Sequence, residues 1–316
     1  MIRESRHAVS VLLGDALHVR RALGQAPDDD EYSPENLIGS PFSTVEDVVE
    51  WFNDNRRQIL ATVQDAVANG EPETAAQLLV RIWPIVPTTT DAVWCAALRD
   101  CGQRSAVSLP SSRVMAAVFR KSAAFFLACG DHRVAETEAM RELAIWRRLD
   151  DPDGHVRALN SLSRIFQARG RLHRVIDCAA RRLAIHVRHH RPLDVAHDLR
   201  HLGAVMLQAH RPDTAVDYLT RALDAFDELP ETTARQHAEL RVLLGRSLWL
   251  SGSHSRARRQ FSDALQIVFD EDEAAADRIR ELLATAVNAT LPEIDHETEV
   301  DEVWDEPDGG THRDSP

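Results

Sequence analysis

Stacked antiparallel helix pairs forming a solenoid, with no β-structure, are what this 316-residue sequence predicts. Three observations carry the expectation. Turn-type residues recur at Gly130, Gly170, His210 and Gly252, spaced 40, 40 and 42 residues apart. Such fixed-period self-similarity marks a repeat architecture. Between the turns, apolar residues fall three or four apart, which places them on one face of a helix. Turn-bounded runs of β-branched residues are missing, and aromatic residues make up only 5%. Repeat helices that pack through small and medium side chains have this composition.

Taken in order, residues 1–25 predict an N-terminal helix and residues 26–42 a linker, from Ala26-Pro27-Asp28-Asp29-Asp30 to Pro41. Residues 43–111 predict a helical repeat region. Ser43 and Glu46 make a capping-box pattern. Val49, Phe52, Ile59, Val63 and Val67 continue one apolar face to Gly70. A second helix runs from about Glu73 through Ala75, Leu79, Ile82 and Trp83 to Pro84. A short third helix, about 90–101, carries Val93, Trp94, Ala97 and Leu98.

Residues 112–269 predict four repeats in one register. Eight residues before each turn stand Ser122, Leu162, Leu202 and Leu244, followed by the small residues Ala123, Ser163, Gly203 and Gly245. Phe126, Phe166, Met206 and Leu248 come next. Five residues after the turns sit Ala135, Val175, Ala215 and Ala257, then Ala139, Ala179, Leu219 and Phe261, then Leu143, Leu183, Leu223 and Leu265. The small residues fall where two helices approach closely. Pro152, Pro192 and Pro230 are expected to stop the second helices. Residues 270–291 predict a capping helix, with Glu271, Asp272 and Glu273 at its positive end and Ile279, Leu282, Leu283, Ala286 and Val287 on its apolar face. From Glu293 to Pro316 there are ten acidic residues and one Arg. That composition predicts a disordered acidic tail over 292–316.

The Leu202-Gly203 and Leu244-Gly245 pairs, the aromatics Phe126 and Phe166, the bend glycines, and Ala135, Ala215 and Ala257 resemble the tetratricopeptide repeat. The departures are His210 at one bend and a period longer than the usual 34 residues. The resemblance implies an all-α, right-handed tetratricopeptide-type superhelical solenoid of antiparallel helix pairs. A second resemblance lies in Val48 to Val86, through Glu50-Trp51-Phe52, Arg56, Ile59-Leu60-Ala61, Ala75-Ala76-Gln77-Leu78 and Ile82-Trp83-Pro84. This is similar to the start of the repeat region in actinobacterial STAND-type regulators, of which the SARP-type antibiotic-pathway regulators are familiar members. Those proteins join an NB-ARC nucleotide-binding module to their repeats. The sequence has no GxxxxGK[ST] phosphate loop, so nucleotide hydrolysis is not expected to carry over.

GxGxxG and GxSxG motifs are also absent, and no cofactor and no enzyme activity are expected. Cys95, Cys101, Cys129 and Cys178 form no CxxC pair and read as reduced thiols. His197 and His201 are four apart, with His186, His189 and His190 nearby. Residue 198 is Asp, so HExxH is not matched, and no metal is expected. No apolar run reaches the ~20 residues that cross a membrane. A weak N-terminal apolar stretch followed by Asp15, Arg20 and Arg21 argues for a cytoplasmic chain.

The binding face is where function is expected. The tetratricopeptide resemblance implies a concave groove lined by first helices. Carried over position by position, it nominates Arg120, Leu127, Arg157, Asn160, Arg164, Gln167, His197, Arg200, Gln208, Arg246 and Trp249. Five of these are arginines on a chain of net charge −13, and arginine forks bind carboxylates. Asn160 and Arg164 together resemble carboxylate-clamp repeats. The expected function is a non-enzymatic, regulatory protein- or peptide-binding scaffold. Its partner would be another protein or an acidic, extended peptide, with the chain's own C-terminal tail as a competitor. The alternative is a sensor of a small signal molecule or peptide pheromone controlling transcription. The acidic net charge argues against nucleic acid.

Overall fold

A computed structural model describes residues 45–229, 233–268 and 273–287. The regular elements among them are all helical: α1 Val45–Ala68, α2 Pro72–Ile82, a 3-10 turn Trp83–Ile85, α3 Ala92–Ser108, α4 Arg113–Ala128, α5 His132–Leu149, α6 Pro152–Ala168, α7 Leu172–Arg188, α8 Pro192–Gln208, α9 Pro212–Asp227, α10 Ala234–Leu250, α11 His254–Val268 and α12 Glu273–Val287. The four repeats are the pairs α4/α5, α6/α7, α8/α9 and α10/α11. The expected N-terminal helix 1–25, the linker 26–42, Ser43, Pro230, Glu271, Asp272 and the tail 292–316 lie outside the described residues.

The bends have a common construction. Gly130, Gly170, His210 and Gly252 take left-handed backbone angles, with φ of 77°, 65°, 55° and 81°. At three of the four bends, the next residue donates its N–H to the carbonyl five residues earlier: Arg171 to Phe166 at 2.8 Å, Arg211 to Met206 at 2.9 Å and Ser253 to Leu248 at 2.8 Å. This is the Schellman ending, and its left-handed position favours glycine. Asp150 and His190 do the same at the ends of α5 and α7, with φ of 49° and 54°.

The prolines act differently from expectation. Pro152 and Pro192 do not stop the preceding helices, which end at the left-handed residues 150 and 190. Both are the first residue of the following helix, as are Pro72 and Pro212. That position has no intrahelical use for an N–H, so proline costs nothing there. Asp91, Ser112, Asp131, Asp151 and Thr233 cap their helices through side-chain oxygens. The third helix runs to Ser108 instead of 101, because nothing in Gln103–Val107 breaks it.

The earlier pair α1/α2 shares the register of the repeats. Gly70 is left-handed at φ 73°, and Ala75 and Leu79, five and nine residues on, are fully buried, as are Ile59 and Val63. Helix α3 then intervenes, so the spacing from Gly70 to Gly130 hides the kinship.

The helices cluster into two compact units, one ending at Ile185 and the other beginning at His186. In the first, Phe52 of α1 meets Trp94 of α3 with ring centroids 5.3 Å apart, and Trp83 meets Phe125 and Phe126 of α4 at 5.2 and 5.6 Å. Gly154 of α6 lies flat against Trp146 of α5, where a Cβ would stand 2.1 Å from the indole. In the second unit, Leu199, Leu202 and Met206 of α8 and Ala215, Leu219 and Phe226 of α9 are buried. Leu240, Leu244 and Leu248 of α10 and Ala257, Phe261 and Ala264 of α11 repeat the arrangement. Gly203 and Gly245 are the crossing points. A Cβ would meet Leu219 Cγ at 2.4 Å and Phe261 Cε1 at 2.6 Å. Helix α12 packs on α11, with Ala276 and Ile279 buried.

Candidate functional site

In the first unit, α5 packs between the first helices α4 and α6. It buries two carboxylates that the sequence reading did not nominate. Glu142 is 0% exposed and Glu138, one turn earlier, 1%. The Trp146 indole N–H donates to Glu142 Oε1 at 3.3 Å, while Oε2 has no hydrogen-bond partner. Burial pushes the Glu142 carboxyl up to about 7. The Arg120 charge, the Trp146 N–H, the Ser161 hydroxyl and Arg157 pull the other way without winning.

Two expected groove residues therefore face an internal acid. Arg120 and Arg157 are half-buried and act on Glu142 from α4 and α6. The Arg157 guanidinium lies over the Trp146 ring, 5.0 Å from its centroid, and its buried Nε has no hydrogen-bond partner. Glu138 is held separately. Arg141 Nη1 donates to it at 2.5 Å, and Arg99 of α3 approaches to 3.9 Å. Burial still leaves its carboxyl above the usual range. Both guanidiniums lie over rings of α4, Arg99 over Phe126 at 6.0 Å and Arg141 over Phe119 at 5.7 Å.

Of the other expected residues in this unit, Asn160 and Arg164 are exposed on α6, one turn apart, and Leu127 and Gln167 are half-buried. Arg182 of α7 reaches across to donate to Asn160 Oδ1.

In the second unit, Arg200 of α8 stands 3.6 Å from Glu239 of α10, and both side chains are largely buried. Glu239 also accepts from Arg235 Nε at 2.9 Å. The positive surplus inferred from the arginines is thus offset at Arg200, because Glu239 of the following repeat lies within reach of its guanidinium. His197 packs edge-on against Phe226 at 5.3 Å. Gln208 and Arg246 are half-buried. Trp249 is 9% exposed and turned onto His254, with ring centroids 4.3 Å apart, so packing occupies most of its surface.

The remaining reactive groups have structural settings. His186 and Asp198 form a buried pair at 2.7 Å. Among the described residues, no cluster of three His, Cys, Asp or Glu side chains is disposed to hold a metal. Cys95, Cys101 and Cys178 are buried and Cys129 is exposed. Burial pushes the Cys95 thiol up to about 11 and raises the other three. No helix among the described residues is long and apolar enough to cross a membrane.

Comparison with known proteins agrees with the repeat reading in part of the chain. The tetratricopeptide repeat family matches residues 195–268, which are the third and fourth hairpins. This supports tetratricopeptide repeats in that part of the chain. Similar solved structures include tetratricopeptide-like repeats of a kinesin light chain from Podosopora anserina, at 14% identity, 69% of this chain, 97% of that one and a TM-score of 0.46. BtubC from P. vanneervenii is similar at 16% identity, 79% of this chain, 90% of that one and a TM-score of 0.44. PilF of Pseudomonas aeruginosa is similar at 15% identity, 75% of this chain, 94% of that one and a TM-score of 0.38. No curated protein matches.

Proposed function

We propose that the chain is a non-catalytic regulatory scaffold whose first-helix faces bind an extended acidic segment of another protein. The observation that carries this reading is the exposed pair on α6. Arg164 presents a guanidinium and Asn160 an amide one helical turn away, with Arg182 already drawn to the same amide. A guanidinium beside an amide suits a carboxylate next to a peptide bond, and charge-assisted contacts of this kind are about twice as strong as neutral ones. Tetratricopeptide repeats generally mediate protein–protein interaction, and the family match over residues 195–268 supports that role. The regulatory part rests on the likeness of Val48–Val86 to the repeat start of STAND-type regulators. The acidic residues 293–316 have the sign needed to compete for the same face.

The test is fluorescence anisotropy of a labelled Asp- and Glu-rich peptide titrated into the full chain. Saturable binding is expected, weaker at high salt because exposed charges are screened. Joint replacement Asn160→Ala and Arg164→Ala should weaken it by at least about ten-fold, from the ~1.5–3 kcal/mol of a charged hydrogen bond. Unchanged affinity in that variant sinks the reading.

A further inference from the structure

Two arginines of the candidate face, Arg120 and Arg157, have a negative charge behind them in Glu142. It sits fully buried on α5, between the two helices that present Arg120 and Arg157. Its hydrogen bonding is incomplete. Oε1 takes the Trp146 indole N–H and Oε2 takes nothing. Arg157 stacks on the same indole and leaves its own buried Nε unbonded. Carboxylate, indole and guanidinium thus form one assembly spanning α5 and α6, with Arg120 acting on it from α4. An assembly left half-satisfied is poised to exchange partners, because neither buried group has reached its best bonding.

We propose that Glu142 is an internal competitor of the ligand: ionised, it holds Arg120 and Arg157 back toward α5, and neutralised, it releases them to a ligand carboxylate on the face between α4 and α6. This rests on the reading of that face as an acidic-peptide site. The charged and titratable groups facing Glu142 are few. They are Arg120 from α4 and Arg157 from α6, with the Ser161 hydroxyl beside it. On α5 itself, Glu138 is engaged by Arg99 and Arg141 instead. Glu142 is also the group that changes charge in the neutral range, since burial moves its carboxyl to about 7. Binding that requires one proton on such a group strengthens by up to about ten-fold from pH 8 to pH 6. Low pH therefore favours the ligand, and high pH favours the internal pair.

The experiment uses the full chain and two readouts. A fluorescein-labelled deca-aspartate peptide is titrated at pH 6, 7 and 8. The indole N–H resonance of Trp146, assigned through Trp146→Phe, is followed by NMR over the same range. Wild type should bind about ten-fold more tightly at pH 6 than at pH 8, and the indole signal should shift with a midpoint near 7. Glu142→Gln keeps the size of the side chain and should bind at pH 8 as wild type does at pH 6. Its affinity should not vary with pH and its indole signal should not titrate. Arg157→Gln should also flatten the profile. Peptide binding beside an indole signal that ignores pH overturns the competition alone. A pH dependence of binding that survives Glu142→Gln does the same. An indole signal that titrates through Glu142, with no peptide binding at any pH, overturns the acidic-peptide reading and the competition with it.

Discussion

Helices α5 and α9 occupy the same place in their repeats and bury different chemistry. Eight and twelve residues after the bend, α5 has Glu138 and Glu142, where α9 has Tyr218 and Ala222. Helix α11 has Gln260 and Ala264 there. Ala222 and Ala264 are fully buried, and so is Glu142. At the twelfth position these three repeats thus bury a carboxylate in one case and a methyl in the other two, so equivalent burial leaves polarity open. An isolated buried carboxylate is costly. On α5 the cost is reduced by arginines: Arg99 from α3 and Arg141 from α5 itself at Glu138, and Arg120 from α4 and Arg157 from α6 at Glu142. It is not cancelled, since both carboxyls remain raised. The family match falls on α8–α11, the half with the alanines.

The comparison can be broken first at the helix crossings, where the largest effects are expected. Gly154→Ala would drive a Cβ into Trp146, and Gly245→Ala into Phe261. Each should cost about 3 kcal/mol in urea denaturation, the upper end for overpacking. Trp146 also bonds Glu142, so only Gly154→Ala should alter how stability depends on pH. Identical pH profiles for the two variants would uncouple Trp146 from the acid.

A second effect of similar size comes from pH alone. The Glu142 carboxyl is raised on folding from 4.5 to about 7, so folding favours its protonated form. Its contribution is complete below pH 4.5, is lost as pH rises through 7, and amounts to about 3 kcal/mol between those limits. Glu142→Gln should remove that slope, so that the variant gains on wild type at pH 8 compared with pH 5. Denaturation midpoints at the two values check this. A slope retained in the variant would assign it to another group.

Smaller effects sharpen the contrast at the ends of the helices. Thr233 caps α10 by accepting from the Gln236 N–H at 3.2 Å, in a full capping box. Thr233→Ala should cost about 1 kcal/mol, read from the thermal midpoint. The least is expected at the one bend without glycine. His210 holds φ 55°, a conformation that costs a non-glycine residue about 1–2 kcal/mol. His210→Gly gives part of that back to chain entropy and should stabilise by about 0.5–1 kcal/mol. The reverse change, Gly170→His, should destabilise by a comparable amount. If both changes destabilise, His210 is held by more than its backbone.

The repeats were readable in the sequence because helical packing is periodic. Ala135, Ala215 and Ala257 are fully buried where the spacing places them, and Gly203 and Gly245 are the crossing points it implies. The α1/α2 pair was recognised as helices but not as a member of the register, since α3 breaks the period before Gly130. The candidate face was legible only as a set of positions. Arg120 and Arg157 sit on the helices expected, and the acid behind them went unnoticed because Glu138 and Glu142 border the apolar stripe of Ala135, Ala139 and Leu143. A glutamate one residue off such a stripe usually reaches water. Here the neighbouring first helices close over it.

Local order is what the sequence determined by itself: the bends at Gly130, Gly170, His210 and Gly252, and the faces that are apolar. These follow from backbone sterics and side-chain spacing within a few residues. Tertiary structure alone decided the partnerships of charge. That Arg200 meets Glu239, that Trp249 turns onto His254, and that Arg157 stacks on the indole that bonds Glu142 depend on side chains from different helices meeting at angstrom distances. Periodicity sets the face a residue occupies, but only the packed neighbours set whether its charge is met by water, by a ligand or by an acid of the same chain.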